Sequence, residues 1–351
     1  MRHQPRVPVV SMDDKPLMPT TPGNARIMIR DGVAKPRRNK LGLFHVRMTI
    51  PTRTETNPMV LGVDPGSLHE GLAAASKEGV NVCGQVELPK DVHKKMETRR
   101  NLRRARRFRN CARRPKRFDN RKRNGYWIAP SQLAKVQARV KAVRELCRIY
   151  PVSLIVCEDV RHDPRLGKAA KHFSTAEIGK KATYEAFAAL GSLKLAAAVD
   201  TAGLREKFGL TKIGGAKRPR AFEAQAVDAV ALAMGEIGCP MGGPPFHVWM
   251  ALRFARRNLH LRQFRQGGIR PRYGGTTNGG VLRKGDWVEV VTKGGTPRGW
   301  VCGLPTETTK AVGVANADGK RIGQFPPGRV KLLSRAGGFT WKERTGAASP
   351  A

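Results

Sequence analysis

Between Lys94 and Arg123 the chain carries sixteen Lys or Arg residues against two acids, Glu97 and Asp119. The run reads METRRNLRRARRFRNCARRPKRFDNRKR. Like charges one helical turn apart repel, so a helix of this composition destabilises itself. Its one apolar stripe, Leu102, Ala105, Phe108 and Ala112, is a narrow line at helical spacing. The segment therefore cannot be a core element. It reads as a bare helix lying across another body, and its charge calls for a polyanion, which points to nucleic acid.

The rest of the chain agrees. Its 351 residues hold 66 Lys+Arg and 27 Asp+Glu, a formal charge of +39. No stretch approaches the ~20 apolar residues of a membrane span, no signal-like apolar segment follows the basic N-terminus, and the basic run lacks the broad apolar face of an interfacial helix. A membrane partner is not expected. Aromatic residues are 6% of the chain, too few for base stacking to dominate binding. Six scattered cysteines form no CxxC, and no His stands at zinc-finger spacing from a Cys pair. They read as reduced thiols of a cytoplasmic protein.

Residues 1–55 are Pro-rich and basic, with short strands predicted at 26–34 and 43–50. KPRRNK (35–40), carrying Arg37 and Arg38, reads as a phosphate-facing turn between them. Residues 59–88 read as a β-meander. Residues 133–150 are an amphipathic helix ended by Pro151, and 152–159 a buried strand. Helices are predicted at 174–190, 192–207 and 222–238. The basic stretch 247–266 reads as helical. Regular short strands over 281–334 fit a small SH3-like β-barrel, with a loose end from Gly337.

Acids are scarce, so those in apolar surroundings stand out. Asp64 ends the strand MVLGVD, Glu158 ends VSLIVCE, and Asp228 lies in the first turns of an apolar helix. Three unpaired buried carboxylates would cost several kcal/mol each. Protonation, Arg or Lys pairing, or divalent cations relieve that cost. Hard cations such as Mg²⁺ take oxygen ligands, and two of them ~4 Å apart can clamp an in-line phosphoryl displacement. Asp159, next to Glu158, is the rival for its place, because a one-residue slip turns a strand side chain to the other face.

MVLGVDPGS, LIVCEDV and QAVDAVALA together resemble the three split pieces of a RuvC nuclease. The arginine run after the first piece resembles the bridge helix of RNA-guided CRISPR effectors. KPLMP (15–19) resembles the PLMP domain of the transposon-encoded IscB group, and RPRYGGTTNGG…LRKGDWVEV resembles that group's target-adjacent-motif-interacting domain. The 69 residues between Glu158 and Asp228 hold no Cys pair, and His162 and His172 are the only histidines there. The chain thus resembles IsrB, the relative that lacks the HNH nuclease.

The resemblance implies an α/β RNase H-like (RuvC) mixed sheet with an inserted bridge helix. The implied domains are PLMP (1–55), RuvC piece I (56–90), bridge helix (91–125), RuvC piece II (126–210), RuvC piece III (211–238) and the motif-interacting domain (239–351). It implies a guide-RNA-directed nickase of the displaced strand, working as a monomeric protein in a ribonucleoprotein on double-stranded DNA with a short flanking motif. Asp64, Glu158 and Asp228 would hold two Mg²⁺ ions, with Mn²⁺ as an alternative. Gln225 stands where the family usually has His, so it can hydrogen-bond a water or phosphate but cannot carry a proton. Phosphate contacts would fall to Arg99, Arg100, Arg103, Arg104, Arg106, Arg107, Arg109, Arg113, Arg114, Lys116 and Arg117. Lys15, Arg37, Arg38, Arg270, Arg272 and Lys284 would add to them. The rival readings are a guide-dependent DNA binder with little cleavage and a guide-free nuclease or RNA-packaging protein.

Overall fold

The computed structural model describes residues 6–107, 127–159, 177–214, 220–252, 262–263, 268–269, 277–278, 281–305 and 309–344. A small N-terminal sheet contains β1 (Val7–Val10), β2 (Pro16–Thr20), β3 (Ala34–Arg38) and β4 (Phe44–Met48), in the order β2-β1-β4-β3. Helix α1 (Pro22–Arg30) covers it. The strand predicted at 26–34 is thus mostly helix. Pro22 presets the first helical turn, Thr21 Oγ1 caps it by accepting from the Asn24 N–H, and Ala25 packs on Val9, Val46 and Met48. The turn predicted at 35–40 is also corrected. Residues 34–38 pair with β4, and the reversal comes at 39–42, where Asn39 Oδ1 accepts from the N–H groups of Leu41 and Leu43.

The main sheet begins with the predicted meander: β5 (Met59–Pro65), β6 (His69–Ser76) and β7 (Gly79–Glu87). Helix α2 (Val92–Arg107) follows, then α3 (Pro130–Cys147), β8 (Val152–Glu158), α4 (Lys180–Ala188), β9 (Ser192–Ala196) and α5 (Ala198–Lys207). After α6 (Phe222–Gln225) and α7 (Val227–Ile237) comes β10 (Phe246–Ala251). Two minimal pairs lie beyond it, β11 (Arg262–Gln263) with β12 (Gly268–Ile269), and β13 (Thr277–Asn278) with β14 (Leu282–Arg283). A five-stranded antiparallel sheet then forms from β15 (Trp287–Val290), β16 (Arg298–Gly303), β17 (Val312–Ala315), β18 (Arg321–Phe325) and β19 (Val330–Ser334), around Val288, Val301 and Val314. Strand β20 (Phe339–Arg344) ends the described chain.

The main sheet has seven strands in the order β20-β10-β7-β6-β5-β8-β9. β5, β6 and β7 are antiparallel, while β8 runs parallel to β5 and β9 parallel to β8. Third, second, first, fourth, fifth is the strand order of an RNase H-like sheet. Alternation splits the core between two faces. Leu61 and Val63 join Ala142, Val143 and Leu146 of α3 and Phe187 of α4. Val60 joins Val230 and Ala233 of α7 on the other side.

Four further expectations fail here. Residues 192–196 are a strand, because pairing with β8 outweighs the helical preference of Leu, Lys and Ala. Residues 246–251 are a buried central strand, not part of a basic helix: Phe246, Val248 and Met250 face one core, and Trp249 the other. Residues 339–344 are not loose but pair antiparallel with β10. The helix predicted at 222–238 is broken at Ala226, whose backbone (φ −126°, ψ −7°) leaves the helical region. Among the described residues no helix is long and apolar enough to cross a membrane.

Candidate active site

Parallel strands bring their C-terminal ends to one edge of a sheet. β5 and β8 are in register up to Val63 opposite Cys157, so Asp64 and Glu158, the next residue of each strand, finish side by side. Asp228 reaches the same edge from the first turn of α7. The close approach of α7 requires Gly62, because a Cβ there would lie 1.9 Å from the Ala229 carbonyl oxygen. The three carboxylates each place an oxygen within 4.8 Å of the others. Glu158 and Asp228 are buried, with 6% and 1% of their surfaces exposed, and Asp64 is half-buried at the mouth.

Such a cluster resists carrying three charges. Burial, then the neighbouring charges of Glu158 and Asp228, push the Asp64 carboxyl well above the ordinary carboxylate range, and Lys212 opposes them. Asp228 is engaged by two cations: Arg205 Nη1 donates to one oxygen and Lys212 Nζ to the other. Arg205 comes from α5, which packs on α7. Lys212 is brought close by the backbone bond from the Ile213 N–H to the Glu223 carbonyl, 3.0 Å. Nothing in sequence spacing singles out either cation among 66.

The rivalry between Glu158 and Asp159 is resolved by pleat. Asp159 turns away, accepting from Lys180 Nζ and Tyr184 Oη at 2.9 Å each. A third residue that sequence reading missed is Arg139, buried in α3. It donates to Glu70 Oε2 (2.6 Å), the Gly66 carbonyl (3.1 Å) and Thr183 Oγ1 (3.4 Å). It therefore ties the turn after Asp64 to α4, the helix that holds Asp159. Gln225 closes α6, and its side chain lies outside the described residues, so no contact of it with the triad is defined.

The donor set of the triad is oxygen only. That chemistry fits hard divalent cations such as Mg²⁺ or Mn²⁺ and disfavours soft metals. Cys157, next to Glu158, belongs to the core facing α3, on the other side of the sheet from α7, and burial raises its thiol.

The expected phosphate contacts are spread over several elements. Arg99, Arg100, Arg103 and Arg104 are exposed on α2. The side chains of Arg106 and Arg107, and residues Arg109, Arg113, Arg114, Lys116, Arg117, Arg270 and Arg272, lie outside the described residues. Lys15 and Arg37 are exposed, and Lys284 is half-buried. Arg38 is exposed as well, with its guanidinium donating to the Gly42 carbonyl at 2.7 Å and lying 5.3 Å over the Trp287 ring.

Residues 7–179, just under half of the chain, match the RRXRR protein family model. Arg103-Arg104-Ala105-Arg106-Arg107 has the pattern that names it. No curated protein matches the chain. Among solved structures, Thermus thermophilus RuvC in complex with a Holliday junction substrate is 16% identical, with a TM-score of 0.28 over 52% of this chain and 97% of that one. A second Thermus thermophilus RuvC structure is 18% identical, with a TM-score of 0.25 over 51% and 96%.

Proposed function

We propose that this protein is a divalent-metal-dependent endonuclease that nicks the displaced DNA strand under the direction of a guide RNA. The observation that carries the reading is the convergence of Asp64, Glu158 and Asp228 at one sheet edge, from two parallel strands and a facing helix. An all-carboxylate cluster in a protein of formal charge +39 suits phosphodiester hydrolysis: the surface gathers the polyanion and the acids hold the cations. Bound there, a pair of such cations would supply Lewis acidity and an activated water.

The residues themselves have separable tasks. Asp64, at the mouth, must lose its raised proton for the site to load. Glu158 and Asp228 form the buried back wall that fixes position. Gln225 can orient a water but accepts no proton at neutral pH, so any proton from the attacking water passes to solvent or to the phosphate. That feature favours the second reading, a guide-dependent DNA binder that cuts slowly. The guide reading is supported by an arginine-rich helix inserted between β7 and α3, that is, inside the nuclease sheet's own connectivity. In an RNA-guided complex, base pairing reads sequence and the protein grips backbone.

The test is strand-resolved. A target duplex labelled differently on each strand is incubated with protein, copurified RNA and Mg²⁺. Cutting confined to the strand not paired with the guide supports the proposal. Equal cutting without RNA makes the protein a guide-free nuclease. Guide-dependent binding without product, turned into cutting by Gln225→His, supports the second reading.

A further inference from the structure

A groove of about 440 Å³ opens between α3, α4 and the β3–β4 turn, away from the acids. Lys40, Lys141, Arg144 and Arg148 line it. Lys141 and Arg144 of α3 and Arg148, the residue that caps it, are spaced i, i+3 and i+7, so they share one face. The single acid in the lining, Glu145, is buried and already committed. It accepts from the Lys40 backbone N–H at 3.2 Å and from Arg148 Nη1 at 2.7 Å, and lies 3.5 Å from the Lys40 ammonium, and so fixes the rim. On the α4 side Ala182 and Ala186 leave the wall low.

None of the three acids lines the groove. α3 leads back to the start of β8, whose other end carries Glu158. A seven-residue strand spans roughly 23 Å. The arginine helix α2 packs against the same α3.

We propose that this groove is a second nucleic-acid site, one that grips a sugar-phosphate backbone without reading bases. Four cations from two chain segments line one concave surface; Lys40 and Arg148 share Glu145 and Lys141 lies over the Phe339 ring, so the lining keeps an excess of positive charge that suits a strand of phosphates. The lining has no aromatic ring on which the base of a free nucleotide could stack, and its polar groups are mainly cations suited to phosphates. The inference rests on the reading that nucleic acid is the partner, but it needs no metal and no cleavage.

The full-length chain is titrated by fluorescence anisotropy, in EDTA, with a 20-nucleotide single-stranded RNA and with a 20-base-pair DNA, across a range of salt. Each phosphate contact adds about 0.7 to the salt slope for a single strand and about 0.9 for duplex DNA. The double variant Lys40→Gln/Arg144→Gln, at two exposed positions, should lower the slope by about 1.4 or about 1.8 and weaken binding. Arg144→Lys should retain the contact. The charge-matched double variant Lys77→Gln/Lys320→Gln, exposed elsewhere, should leave the slope unchanged. A change with RNA alone assigns the groove to a guide strand, and with DNA alone to the target; both support the site. Unchanged slopes with both probes overturn it, as does stoichiometric ATP binding that the double variant abolishes without changing either slope. Because cleavage plays no part, a failed nicking assay leaves this result readable.

Discussion

Lys212 donates its ammonium to Asp228, so a cation from the protein occupies a carboxylate that the proposed function assigns to metal. Lys212 is half-exposed and free to leave, while Asp228 is buried. Lys212→Met should therefore remove a competitor. Divalent-cation affinity, measured by calorimetric titration with Mn²⁺, is expected to rise about fivefold, the equivalent of about 1 kcal/mol. Unchanged affinity would mean that the contact does not compete.

Glu158 and Asp159 should behave as opposites. Glu158→Gln is expected to abolish Mn²⁺ binding with little loss of stability. Asp159→Asn should bind Mn²⁺ normally and lose about 1–2 kcal/mol of stability through its weakened bond to Lys180. Denaturant melts and metal titrations on the same two variants check this, and reversed results would move the site by one residue.

Arg139 and Glu70 form a buried ion pair, with side chains 5% and 0% exposed. Arg139→Met leaves a carboxylate without its counter-ion and should cost about 3–5 kcal/mol. Adding Glu70→Met should recover most of that loss in denaturant melts. Metal affinity should stay reduced in both variants if the Gly66 contact positions Asp64.

His247 supplies a pH signature independent of metal. Burial, aided by the charge of Arg38, pushes its imidazole down to about 4 from 6.5. The unfolded chain then binds a proton that the folded chain refuses between those values, so stability falls as pH drops through this window. The loss amounts to about 3 kcal/mol when fully developed. His247→Phe keeps an aromatic ring beside Trp249, which His247 stacks on at 5.6 Å. The variant should flatten the pH 6.5-to-4 limb of the stability curve.

The acids were legible because they are rare and end apolar runs; an RNase H-like mixed sheet then followed from the resemblance of those runs. The choice of Glu158 over Asp159 needed the pleat. β9, β10 and β20 were read as helix or loose chain because their pairing partners lie far away: β10 takes its place from β7, some 160 residues earlier. α1 was hidden because its cap, Thr21, sits in a stretch dominated by proline. Arg205, Lys212 and Arg139 were not legible, since each is defined by a partner distant in sequence and the chain is crowded with equivalent cations. The arginine run is helical as far as Arg107, with Arg99, Arg100, Arg103 and Arg104 exposed, and the groove on α3 extends the basic surface to a helix first read only as amphipathic.

Asp64, Glu158 and Asp228 are proposed to cleave DNA together. The most direct measurement is nicking of a supercoiled target plasmid by the guide-loaded protein in Mg²⁺, with wild type and Asp64→Ala side by side at matched DNA binding. Open circular product from wild type, and none above the EDTA control from Asp64→Ala, is the predicted result. Equal nicking by the two proteins would contradict the claim.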